Sequence, residues 1–262
     1  MDHDSYVASV REQSERFLEA VALAAPEAPV PSCPGWSVAE LVWHLAEVQH
    51  FWASVVAGQE GEDVAAPERA DDPVALRRLG ATAGTELVTT LAAADPATPC
   101  WPWHPDGGTV GWVARRQAHE ALVHRVDAEL AAGLEVRPPS VELAVDGVDE
   151  VLRVFVHGVP SWGVFERDGV TVRVECTNGP RAWLLRLGRF TGVGPENGTS
   201  HALDAAEVAV LDDGSPPVDL VVAGRAWDLD RWLWGRGPAE VTVTGPADLE
   251  ARLRALLVDV TQ

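Results

Sequence analysis

The chain has 262 residues, 47% of them hydrophobic, enough to bury more than one core. Its formal net charge is −20, and all 20 cationic side chains are arginine. A surface this acidic repels phosphate backbones and anionic lipid, which excludes nucleic acid and membrane surfaces as partners. No run of about 18 apolar residues is present to span a bilayer. The opening MDHDSYVASVREQ has neither the basic start nor the apolar stretch of a signal peptide, so a cytoplasmic location is expected. The lysine-free, Ala/Val-rich composition is that of a GC-rich, actinobacterial-type genome. Three well-separated cysteines (Cys33, Cys100 and Cys176) form neither a disulfide framework nor a CxxC site and are read as buried free thiols.

Apolar residues recur at helical spacing over about 5–25, and Pro26, Pro29, Pro31 and Pro34 then break the helix. Ser37 followed by Glu40 is a capping box, so a second helix starts at Ser37 and runs to Gly58. Pro73 suits the first turn of a third helix over about 72–94. The Trp- and Pro-rich segment TPCWPWHPDGGTV reads as a long loop, and a fourth helix covers about 110–132 with Gly133 as its stop. Four helices predict a bundle. After Arg137-Pro138-Pro139 the character changes. One more helix (SVELAVDGVDEVLRVFVHG) leads into strand-like segments: ERDGVTVRVEC with an Asp168-Gly169 turn inside it, then RAWLLRLG, EVAVLD, VDLVVAG and EVTVTG. RAWDLDRWLWGRG and ADLEARLRALLVDV read as helices. The expected fold class is α+β, with a four-helix bundle over 1–136 and a smaller domain with a mostly antiparallel sheet over 137–262.

The sharpest local pattern is Glu120-Ala-Leu-Val-His124. Residues i and i+4 share a helix face, about 6 Å apart along the axis, so a carboxylate and an imidazole placed this way can grip one metal ion. A third ligand has to come from another helix. His44 is the leading candidate, because it sits among Leu41, Val42, Leu45 and Val48, where a polar imidazole needs a partner. Two His and one carboxylate suit zinc and leave positions open, as a catalytic centre requires; iron, manganese and nickel also fit the ligand types. An ordinary solvated Glu/His face is the alternative reading. Glu47 is an extra ligand or an outer partner, His104 either reaches the site or is only a loop residue, and His50 and His119 face elsewhere. Asp127 and Arg125 are read as ties to the second domain.

The segments SCPGWSVAELVWHLAEV and RRQAHEALVHRVDAELAAG, with DLVVAGRAWDLDRWLWGRGPAEVTVTGPADLEARL in the C-terminal half, resemble the mycothiol-dependent maleylpyruvate isomerase family. The resemblance implies a DinB-like bundle followed by a small sterol-carrier-like α/β domain. It maps the family's metal triad onto His44, Glu120 and His124. It implies zinc and mycothiol as cofactor and thiol cosubstrate, with cis–trans isomerisation of, or S-transfer to, a small electrophilic acid such as maleylpyruvate. It also points to an arginine near WGRG for an anionic substrate: Arg236 first, then Arg231. Arg116, one turn before Glu120, is a further candidate; each arginine has a structural ion pair as its alternative. Trp36, Trp103 and His104 are the expected contacts around the thiol, with Trp101 in the same flanking loops. The expected partners are a small-molecule substrate and the thiol, in a monomer or homodimer. The rival readings are a metal-dependent hydrolase using activated water, and a non-enzymatic small-ligand-binding protein with a structural metal.

Overall fold

The computed structural model describes residues 1–196, 198–211 and 216–261. The chain divides into two compact units, Met1–Arg137 and Pro138–Gln262. The first unit is a bundle of α1 (His3–Val21), α2 (Val38–Val56), α3 (Pro73–Ala93) and α4 (Val110–Ala131). Each helix has a side-chain cap that takes up an orphan amide of the first turn. Asp2, Asp72 and Thr109 cap α1, α3 and α4, and Ser37 with Glu40 closes a full capping box on α2. Helix α1 packs on α3 and α4, and α2 does the same from the other side. α1 ends at Val21, short of the Ala25 that the apolar pattern suggests, because the chain must already turn toward Pro26.

Helix α4 is the centre of the bundle and is buried on nearly all sides, including its charged residues Arg116, Arg125, Asp127 and Glu129. A helix of this kind needs internal partners for its charges. Arg125, fully buried, donates from Nη1 to both oxygens of Glu129 (2.9 and 2.7 Å) and to the carbonyl of Arg137 (2.8 Å). Glu129 in turn accepts from the Arg137 amide at 3.2 Å. The pair therefore fastens the end of α4 to the last residue of its own unit.

The second unit begins with α5 (Val141–Glu150), which runs into one π-helical stretch, Val151–Val156. Strands β1 (Gly163–Cys176), β2 (Ala182–Val193), β3 (Ser200–Leu211), β4 (Leu220–Gly224) and β5 (Val241–Thr244) form one sheet of order β3-β2-β1-β4-β5. Within this sheet β1 and β4 pair in parallel, and the other strand pairs among the described residues are antiparallel. Helices α6 (Ala226–Trp234) and α7 (Ala247–Thr261) follow β4 and β5. Trp183 is fully buried on β2 and donates its indole N–H to Asp149 at 2.9 Å. The fold is α+β with a mostly antiparallel sheet, as its patterning predicts. Asp212, the end of the expected strand EVAVLD, lies outside the described residues.

The Asp168-Gly169 turn is corrected. β1 passes straight through it, and only the register against β2 slips between Arg167 and Thr171. Gly169 takes φ +91°, Asp168 accepts from the Val170 amide, and Arg252 of α7 reaches Asp168 at 2.5 Å. The positive-φ glycine absorbs a bulge here and does not reverse the chain. The reversal comes later, after Cys176, and β2 pairs back from Ala182. Among the described residues no helix is long and apolar enough to cross a membrane.

Two outcomes follow. Arg125→Ala leaves a buried carboxylate with less compensation and should lower the stability of the bundle by about 3 kcal/mol or more, read from denaturant unfolding. Burial pushes the Cys176 thiol up to about 11, so only above that pH is it mostly thiolate. Iodoacetamide at pH 8 should leave Cys176 unmodified in the folded protein and label it after unfolding; mass spectrometry distinguishes the two.

Candidate metal centre

His44 sits on α2, about two turns past the capped start of that helix, and Glu120 and His124 sit one turn apart on α4. One ligand atom from each lies within 4.8 Å of the others. His44 Nε2 is 3.3 Å and His124 Nε2 is 3.2 Å from the same oxygen, Glu120 Oε1. Ligands about 2.1 Å from a tetrahedral ion are about 3.4 Å from one another, so both edges match a zinc-type sphere. The two imidazoles cross nearly perpendicularly with ring centroids 4.8 Å apart. The donor types suit a divalent cation of zinc type, and the two edges that meet at Glu120 match its spacing.

Each donor has its own support. Arg116, buried one turn before Glu120, forms an ion pair with Glu120 Oε2, leaving Oε1 for the imidazoles. Burial works against the charged form of Glu120, but Arg116 and the imidazole of His124 outweigh it and hold the carboxyl well below the usual carboxylate range. Burial likewise disfavours charge on His124, yet the carboxylates of Glu120 and Asp127 push its pKa up to about 9. A cation held by the three donors would take the place of that proton. Asp127 Oδ2 lies 2.9 Å from His124 Nδ1, on the side of the ring away from Glu120.

Trp36, from the loop before α2, lies over the pair of histidines. Its ring is 4.9 Å from that of His44 and stacks at 6.4 Å and 20° on that of His124. The structure thus brings Trp36 to the triad. It gathers Trp103 and His104 elsewhere, around Trp112 of α4: His104 stacks on Trp112 at 6.1 Å and 9°, and Trp103 lies 6.2 Å from it. Trp101 joins Trp52 and Phe51 beside them, and packs so tightly on Gly61 that a Cβ there would fall 2.6 Å from its ring. His50 turns toward Glu86 of α3 and His119 toward Tyr6 of α1. Glu47 is outside the three-residue cluster.

In the second unit, Arg231 pairs with Asp228 at 2.9 Å and lies over the Trp227 ring, while buried Arg236 donates to the Trp234 carbonyl at 2.6 Å. The sequence reading missed Asp127 as a partner of the centre. Its signal was its spacing, three residues past His124, which puts it on the same face of α4. Asp127 is fully buried beside His124, and it is Arg125 that ties the end of α4 to Arg137.

Residues 7–129 match the family description "Mycothiol maleylpyruvate isomerase N-terminal domain", and residues 142–252 match the C-terminal domain of the same family. Crystal structures of the mycothiol-dependent maleylpyruvate isomerase and of a single-residue variant of it are similar in fold. Each has a TM-score of 0.60 and 12% sequence identity, and covers 93% of this chain and 93% of its own. No curated protein matches the chain at a significant level. With both domains matched in order along nearly its whole length, the chain belongs to the mycothiol-dependent maleylpyruvate isomerase family, a family of enzymes.

Proposed function

We propose that the chain binds a divalent cation, zinc by preference, on His44, Glu120 and His124, and uses mycothiol to isomerise, or to transfer the thiol to, a small electrophilic acid of maleylpyruvate type. The observation that carries this is the convergence of two imidazole nitrogens on one carboxylate oxygen at 3.2 and 3.3 Å. Three protein donors leave coordination positions open, which separates the centre from a closed structural site. A free thiol is only a few per cent thiolate at neutral pH; zinc bound there supplies the positive charge that keeps a thiol deprotonated.

The residues do the rest. Arg116 keeps Glu120 ionised and turns one oxygen toward the imidazoles. Trp36 packs against both histidines and supports their rings. In the isomerisation, thiolate sulfur adds to one carbon of a cis double bond and a proton reaches the adjacent position of the conjugated acid. The new single bond rotates, the proton is removed and the C–S bond breaks, giving the trans alkene and returning the thiol. In the transfer reaction the C–S bond stays. Arg236 and Arg231 are the proposed contacts for a substrate carboxylate. Arg231 supports this in one respect: its Nε is buried with no hydrogen-bond acceptor among the described residues. The reading places the enzyme in the cytoplasm, as a monomer or homodimer.

Metal analysis of the purified protein should find about one divalent ion per chain, with zinc preferred on reloading, and His124→Ala should lose it. A full metal complement in that variant would remove the triad assignment. The zinc-loaded protein, given mycothiol and a panel of cis-unsaturated acids, should consume substrate only when the thiol is present. Equal turnover in water alone would replace the thiol reading with a hydrolase.

A further inference from the structure

Asp127 is fully buried one turn beyond His124, and its carboxylate receives donors from two parts of the chain. Oδ2 lies 2.9 Å from His124 Nδ1 and 3.5 Å from Cys33 Sγ, and Oδ1 accepts the Ser32 hydroxyl. A neutral imidazole has one N–H and one lone pair, so the nitrogen that binds a cation is decided by where the proton sits. A carboxylate only accepts hydrogen bonds. Placed at Nδ1, it keeps the proton there, so that Nε2, which donates to Glu120 Oε1, is the nitrogen that would give up its proton to a cation. Ser32 holds the other oxygen and Cys33 shares Oδ2 with the histidine, so both oxygens of the carboxylate are engaged. They belong to the same loop as Trp36, which stacks on the face of the His124 ring. The ring is therefore held at its edge by Asp127 and on its face by Trp36.

We propose that Asp127, clamped by Ser32 and Cys33, is a positioning residue that fixes the tautomer and orientation of His124, and through them sets how tightly the centre holds its cation. This rests on the metal reading above. Partners of this kind characteristically change metal affinity by 10- to 100-fold.

The test measures zinc and cobalt(II) affinity, by competition with a chromophoric chelator, in the wild-type protein and in Asp127→Asn, Asp127→Ala and Ser32→Ala. Asp127→Asn keeps the shape and removes the charge; its affinity should fall about 10- to 100-fold. Ser32→Ala should show a smaller loss in the same direction. The visible spectrum of the cobalt form should change with Asp127→Asn, and the solvent-protected His124 Nδ1–H resonance of the zinc form should disappear with Asp127→Ala. If Asp127→Ala does not fold, Asp127→Asn and Ser32→Ala carry the measurement. Folded Asp127→Asn with wild-type affinity and an unchanged cobalt spectrum overturns the proposal, and a lowered melting temperature of the metal-free protein alone does not rescue it. If the wild-type protein takes up neither metal, the triad reading falls and the clamp with it; if the wild type binds and the variants bind equally, only the clamp falls.

Discussion

An ionised carboxylate inside a helical bundle is costly unless cations meet it, and Glu120 is met from both directions along its own helix. Arg116 takes one oxygen from the turn before, and His124 approaches the other from the turn after. The helical repeat supplies this arrangement without any loop, because residues four apart lie on one face. Once α4 is in place, a single imidazole from α2 completes the cluster, and the capping box that starts α2 at Ser37 sets where that imidazole falls. The position of the centre thus depends on one helix register and one cap.

The same two helices carry a different chemistry further along. Trp112 lies two turns before Glu120 on α4, about 12 Å along the axis, and Trp52 lies two turns beyond His44 on α2. Their rings are 6.2 Å apart. The pairing of His44 with Glu120 at one level and Trp52 with Trp112 at another shows that α2 and α4 run antiparallel. Polar ligands and aromatic packing are segregated by depth along one seam. The loop of Trp101, Trp103 and His104 closes over the aromatic level, so those rings consolidate the bundle end at some distance from the ligands.

Much of this is legible in the residues, and the remainder has a physical reason for being hidden. The triad reads out because helical periodicity translates spacing into faces, and because a histidine among Leu41, Val42 and Leu45 advertises an unmet polar need. Asp127 reads out poorly despite its spacing: the polar residues at 124, 125 and 127 look like a solvated stretch, and only the burial of α4 on nearly all sides reveals that each has its own partner. Asp168-Gly169 misleads because hairpins and bulges use the same positive-φ glycine, and the choice belongs to the neighbouring strand. The π-helical stretch at Val151–Val156 has no local signature and appears only as an offset in the backbone hydrogen bonds. That proteins with 12% identity share the fold at a TM-score of 0.60 makes the same point at larger scale: the fold persists while most side chains are exchanged.

The short connection between α1 and α2 is closed by its own backbone bonds, Val30 to Trp36 and Val38 to Ala28 among them. It reaches α4 through Ser32 and Cys33, His124 through Trp36, and the start of α2 through Ser37. Surface connections ordinarily tolerate insertion and deletion. This one behaves as a ruler. Adding or removing a residue within it would shift every contact downstream of the change at once, so the length of the segment is as much a determinant of the centre as the identity of its ligands.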